Sequence, residues 1–248
     1  ECVRCPHASL LDSKKCEPLR ACVFDRYARR IDRFFDWNPD LASAYLQHPY
    51  FEVRACAAKA ADIFLLPALL NDPEEAVRWS AARRLPIRFL LKLRDDPHRE
   101  VRIRVAQRLD AADLRPMIAD VDYAVRQIVA RRISPDLLIL MVSDVDVEVR
   151  RVVAQRIPLH GLSTMVRDND ASVRAEAAQR LDAGALYDLA SDVDWRVRYE
   201  VARRAPINVV ARLAQDVDPI VSETAQERIK GSNAATTGKV TDFISREH

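Results

Sequence analysis

DVDVEVRRVVAQRI, residues Asp144–Ile157, decides the fold, because its pattern returns every 24 residues. At its centre a Val is followed by an Arg. The pair recurs as Val53–Arg54, Val77–Arg78, Val101–Arg102, Val125–Arg126, Val149–Arg150, Val173–Arg174 and Val197–Arg198, and an eighth copy, Val221–Ser222, keeps only the Val. No step contains an insertion, so the chain reads first as an array of internal repeats.

With the Val as position 0, Ala fills position +5 from Ala58 to Ala202, and +8 holds Ala61, Leu85, Leu109, Ile133, Ile157, Leu181, Ala205 and Ile229. Positions 0, +4, +5 and +8 fall within an arc of about 140° on a 3.6-residue wheel, which is one buried helical stripe. Asp at −3 (Asp122, Asp146, Asp170, Asp194) is the expected N-cap. A second segment opens at Asp110, Ser134 or Asp182, or at Pro86, Pro158 or Pro206, and is apolar at +13, +16 and +17, as in Leu138, Met141 and Val142. Pro67 and Pro116 fall inside it. Proline beyond a helix's first turn removes a backbone donor and clashes with the preceding turn, so this segment is expected to be a short 3₁₀ helix. The fold class is all-α, a helical-repeat solenoid of 24-residue units. A leucine-rich repeat of similar period fails, because no alternating strand pattern is present and Ala-Ala-x-Arg-Leu favours helix.

The ends depart from the pattern. His48 stands where later repeats carry Asp at −5, and Ala60 where they carry Arg at +7. Asn38-Pro39-Asp40-Leu41 matches Ser134-Pro135-Asp136-Leu137, so a degenerate capping unit precedes the full repeats. The expected organisation is a cysteine-rich and capping segment over 1–47, eight repeats over 48–230, and a polar tail over 231–248.

Composition narrows the function. The chain is 49% apolar and 31% charged with a net charge of +2, so charge alone points to neither nucleic acid nor an acidic membrane. No apolar run approaches a membrane span. Cys2, Arg4 and Cys5 sit where a secretion signal would be apolar, and the expected location is cytoplasmic. Four glycines leave no phosphate-cradling loop. His7, His48, His98, His160 and His248 are scattered, and no Ser/His/Asp or paired-carboxylate constellation appears, so a conventional enzyme is not expected.

Arg at +1 lies at about 100° on the wheel, inside the apolar arc. Buried there it needs partners, and the Asp residues at −5 (Asp72 to Asp216) and −3 are the expected ones. Arg at +7 (Arg84, Arg108, Arg132, Arg156, Arg180, Arg204, Arg228) falls at the helix end, where a cation suits the macrodipole. The alternative is a basic edge for nucleic-acid phosphates. Trp79 and Trp195 read as exposed columns that pack at the rim.

Cys2, Cys5, Cys16 and Cys22 form C-x₂-C-x₁₀-C-x₅-C, while Cys56 stands alone in a variable column as an unligated thiol. Disulfides suit neither the compartment nor a fold that needs no staple. Zinc usually takes two tight pairs, and here the second is split by five residues. An iron–sulfur cluster suits long, unequal spacers better, with Arg4, Lys14, Lys15 and Arg20 near to offset its charge. Spacing alone leaves both open.

The repeat, carried almost in full by Asp144–Ile157 and Asp168–Leu181, resembles the leucine-rich repeat variant family. That resemblance implies a right-handed solenoid of α- and 3₁₀-helices. Iron–sulfur members place four cysteines ahead of the repeats, and Cys2, Cys5, Cys16 and Cys22 match that arrangement, which implies a [4Fe–4S] cluster bound by these four. The same members imply a setting in nitrogen-fixing bacteria. The expected function is a protein-binding scaffold with a redox-responsive, oxygen-responsive or structural cluster. The alternatives are an electron-transfer or cluster-dependent enzyme and a nucleic-acid binder.

Overall fold

The computed structural model describes residues 2–244, with side chains for all of these except Val3 and 233–244. Two compact units divide between Val129 and Ala130. In the first, the longer helices are Ala28–Trp37, Phe51–Ala57, Glu75–Ala82 and Arg99–Arg108, with Tyr123–Arg132 carrying the division. In the second they are Val147–Arg156, Ala171–Arg180, Trp195–Arg204 and Pro219–Ile244.

Between successive helices the chain runs through tighter turns, as Pro67 and Pro116 require. Ile63–Asn71, Ala111–Met117, Pro135–Met141 and Ala183–Ser191 are 3₁₀ helices, the first two with their prolines inside. Where a proline opens the segment, four residues of α-helix precede a three-residue 3₁₀ turn: Ile87–Leu90 and Leu91–Leu93, Leu159–Leu162 and Met165–Arg167, Ile207–Val210 and Ala211–Leu213.

The core follows the predicted columns. All eight Val residues at position 0 and the seven Ala residues at +5 are buried, as are Leu66, Leu90, Leu114, Leu138, Leu162, Leu186 and Val210 at +13. Each large side chain so placed is worth roughly 1.5–3 kcal/mol of burial. The small residues at +5 let neighbouring helices approach closely.

Arg at +1 pairs with an Asp at −5, as its place on the wheel predicts, and the Asp is that of the following repeat. Arg78 donates from Nε and Nη2 to Asp96 at 2.7 and 2.8 Å, while its Nη1 donates to the carbonyls of Asp72 and Pro73. Arg102–Asp120, Arg150–Asp168, Arg174–Asp192 and Arg198–Asp216 repeat this within their units. The −3 Asp instead caps its own helix, as Asp146 does by accepting from the N–H groups of Glu148 and Val149. Arg at +7 crosses to the preceding repeat. Arg204 donates to the carbonyls of Ala178 and Leu181, and Arg228 to those of Ala202 and Ala205. It satisfies the helix end beside it rather than its own.

Pro219–Ile244 is one helix running through Gly231, where the sequence reading begins a polar tail. A single glycine costs a helix only about 1 kcal/mol, and no proline follows to stop propagation. Of the expected tail, 245–248 and the side chains of 233–244 lie outside the described residues. No described helix is long and apolar enough to cross a membrane.

Candidate functional site

The four cysteines come from two turns. Cys2–Arg4 is a 3₁₀ turn continued by Cys5, whose N–H donates to the Cys2 carbonyl at 3.1 Å. The second pair is closed by a feature that the sequence reading missed. Glu17 and Ala21 form an isolated antiparallel bridge, with N–H to carbonyl distances of 2.9 and 2.8 Å in the two directions. The five-residue spacer therefore folds back on itself and brings Cys22 near enough to add to the upward shift of the Cys16 thiol. Closing it puts Leu19 at φ 62°, and Lys14 ahead of it at φ 57°. Left-handed backbone costs a non-glycine residue roughly 1–2 kcal/mol, and no glycine marks either turn in the sequence.

Cys16 is buried and Cys2, Cys5 and Cys22 are half-buried. Burial pushes the Cys16 thiol up to about 11, and Cys22, Cys5 and Cys2 add to the shift in that order. Cys22 is also raised, chiefly by burial, against a backbone hydrogen bond from Phe24 that stabilises its thiolate. His7 donates its main-chain N–H to Cys5 Sγ at 3.4 Å. No three of the described Cys, His, Asp and Glu side chains converge closely enough to grip a single metal ion. The Cys16 thiol does feel those of Cys22, Cys5 and Cys2, and four thiolates are the donor set that a [4Fe–4S] cluster takes. Thiols raised in this way give up their protons to solvent readily only when a metal cation takes the proton's place at sulfur. Arg4, Lys14, Lys15 and Arg20 are all exposed around them. Cys56 lies apart, 2% exposed, its Sγ 3.6 Å from the Ala28 carbonyl and its pKa pushed up to about 12 by burial.

The cysteine turns are fastened to the helix Ala28–Trp37. Asn38, itself buried, donates to the carbonyls of Lys15 at 2.7 Å and Phe34 at 2.8 Å. Arg33 donates to the Arg20 carbonyl, and the Cys22 N–H to that of Arg30. Phe34 and Phe35, part of the aromatic concentration visible in the sequence, are fully buried. Tyr45 meets Phe35 edge-on at 5.6 Å, and Tyr50 bonds the Arg26 carbonyl.

His48 takes over one duty of the missing Asp. Its Nδ1 accepts from the Tyr50 N–H, as Asp72 Oδ1 accepts from that of Glu74. Trp79 is half-buried beneath the Arg104 guanidinium at 4.6 Å, whereas Trp195 is 41% exposed.

Comparison with known proteins agrees with this geometry. A family model described as LRV protein FeS4 cluster matches residues 1–44, so the segment is of the kind that carries a [4Fe–4S] cluster. A solved structure described as a leucine-rich repeat variant with a novel repetitive protein structural motif is 40% identical, covering 92% of this chain and 98% of that one, with a TM-score of 0.87. A Rhodobacter capsulatus protein, described as an uncharacterized 27.7 kDa protein in the nifB 3' region, is 51% identical over 72 residues, which is 29% of each chain. The match thus spans under a third of that relative's length.

Proposed function

The chain belongs to the leucine-rich repeat variant family, and from that premise we propose that it is a protein-binding scaffold whose [4Fe–4S] cluster, held by Cys2, Cys5, Cys16 and Cys22, makes the N-terminal end of the repeats responsive to oxygen and redox state. The observation that carries this reading is the fastening of the cysteine turns to Ala28–Trp37 through Asn38, Arg33 and the Cys22 N–H. A bound cluster supplies a one-electron redox centre that is also an oxygen-labile cross-link. Where it is lost, the two turns lose their common anchor, and the surface they share with the first repeats loosens.

The repeats' own charges support a scaffold over catalysis. Arg at +1 uses its donors on Asp and backbone carbonyls. Arg at +7 is likewise occupied by carbonyls at Arg84, Arg156 and Arg228. Phosphate recognition needs free cations, so these columns favour a protein partner over nucleic acid. The relative placed in the nifB 3' region supports a setting in nitrogen fixation, and the proposed location is the cytoplasm.

The test is iron and sulfide analysis of anaerobically purified protein, followed by hydrogen exchange on anaerobic and air-exposed samples. Four irons and four sulfides per chain are expected. Faster exchange in air should then be confined to the cysteine turns and the repeats nearest Cys56, leaving those near Val173 unchanged, because solenoid stability is nearest-neighbour. Stoichiometric zinc without sulfide overturns the cofactor assignment. Identical exchange in the two states overturns the coupling.

A further inference from the structure

Residues 2–12 carry the first cysteine pair and bury none of their described side chains. The Ser9–Asp12 helix is a single turn with no buried residue. A segment without a core of its own needs another anchor, and one side chain supplies it. His7 Nε2 is hydrogen-bonded to the Tyr45 hydroxyl, 38 residues along the chain. Its ring lies 5.3 Å from that of Phe34, 5.8 Å from that of Tyr45 and 6.3 Å from that of Phe24. The main chain of the same residue donates its N–H to Cys5 Sγ.

Phe24, whose ring is stacked on that of His7 at 6.3 Å, stands two residues beyond Cys22. His7 therefore links the Cys5 sulfur, through its main chain, to the 3₁₀ helix Pro39–Tyr45, through its ring. His48 lies against two of the same rings, 6.3 Å from that of Phe24 and 6.0 Å from that of Tyr45, but its Nδ1 accepts from the Tyr50 N–H and completes a backbone turn.

We infer that His7, clamped by Tyr45, is a positioning residue for the cluster: it pins the Cys5 turn to the first 3₁₀ helix and holds an N–H on the Cys5 sulfur. This rests on the reading that Cys5 is a cluster ligand. Adding an electron to a thiolate-bound cluster increases the negative charge shared by its sulfurs, and N–H donors stabilise that charge. A Cys5 turn held in place therefore raises the reduction potential and slows escape of iron. Releasing the clamp does the opposite.

The test uses the anaerobic full-length protein with three substitutions: Tyr45→Phe, which removes only a hydroxyl; His7→Phe, which keeps a ring and loses the hydrogen bond; and His7→Gln, which keeps an acceptor for Tyr45. Each is read by potentiometric titration and by the rate of cluster loss to an iron chelator. Tyr45→Phe and His7→Phe should load the parent's iron and sulfide, titrate at a lower potential and lose the cluster several-fold faster. His7→Gln should restore most of the parent's behaviour.

The parent's potential and loss rate in all three variants overturn the inference. Should Tyr45→Phe take up no iron while its repeats unfold at the parent's temperature, the positioning role stands. Earlier unfolding of the repeats around an unaltered cluster assigns Tyr45 to the fold alone and overturns it. Iron-free parent protein overturns the ligand assignment itself, before any variant is compared.

Discussion

In the repeats the Arg at +1 meets its carboxylate 18 residues along the chain, as Arg78 meets Asp96 and Arg174 meets Asp192. Residues 2–27 have no such rule. Their turns hang on a few long-range bonds, from Asn38 to Lys15, from Arg33 to Arg20 and from His7 to Tyr45, and they contain both left-handed non-glycine residues. The repeats are redundant and locally consistent, with propensity, capping and burial agreeing at each step. The cysteine segment is strained, core-poor and dependent on its neighbours. Such a segment can change state and loosen the first repeats without disturbing those farther along, since each repeat contacts only the next.

The sharpest break of that contrast is at the thiols. Cys16→Ser is expected to abolish the cluster, because Cys16 is the buried member and lies against Cys22. Cys56→Ser, in the first repeat, should leave iron and sulfide unchanged. A parent free of iron and zinc would overturn the cluster assignment, and loss of iron from the Cys56 variant alone would place the ligands elsewhere.

Next in size is a rung of the ladder. The side chains of Arg78 and Asp96 are only 9% and 2% exposed. Arg78→Ala strands a buried carboxylate and should cost about 3–5 kcal/mol in urea unfolding. Arg196→Ala, which breaks a pair whose arginine is 51% exposed, should cost less than about 1 kcal/mol. Equal losses would mean that the ladder is solvated.

Asn38→Ala tests the other region on the same scale. It removes two hydrogen bonds made by a buried amide, one of them to the cysteine segment. The expected cost is about 1–3 kcal/mol. It should come with faster exchange in residues 13–22 and none in the second unit. A change spread over both units would contradict the local character of this contact.

The repeats were legible because a 24-residue period repeats its evidence in every copy. Val149, Ala154 and Leu138 gave the buried faces, Pro67 and Pro116 excluded a second α-helix, and the wheel placed Arg at +1 inside. A wheel gives direction and not neighbour, however. The transfer of that Arg to the next repeat's Asp, and of Arg at +7 to the preceding repeat's carbonyls, depends on how repeats stack. In the cysteine segment residue types alone were legible. The Glu17–Ala21 bridge rests on Leu19 in a conformation that no glycine announces. The contact of His7 with Tyr45 spans 38 residues and belongs to no period.

The smallest expected effect separates the early repeats from the late ones. Asp146, Asp170 and Asp194 accept from the first helical N–H groups, whereas Tyr50, Glu74 and His98 at the same position make no side-chain cap. The −5 residue does not explain the difference, for it bonds the −3 N–H in both groups, as Asp72 and Asp144 show. Nor does the backbone, since Glu74 sits at φ −92°, ψ 127° and Asp146 at φ −92°, ψ 129°. The early repeats therefore lack only an acceptor on a side chain short enough to turn back. Asp146→Ala should lose about 1 kcal/mol and Glu74→Asp should gain a comparable or smaller amount. Both are read as shifts of the urea midpoint at constant slope. A loss at Asp146 without a gain at Glu74 would show that the early helices are held by packing at that end, and no change at either would mean that the −5 Asp caps alone.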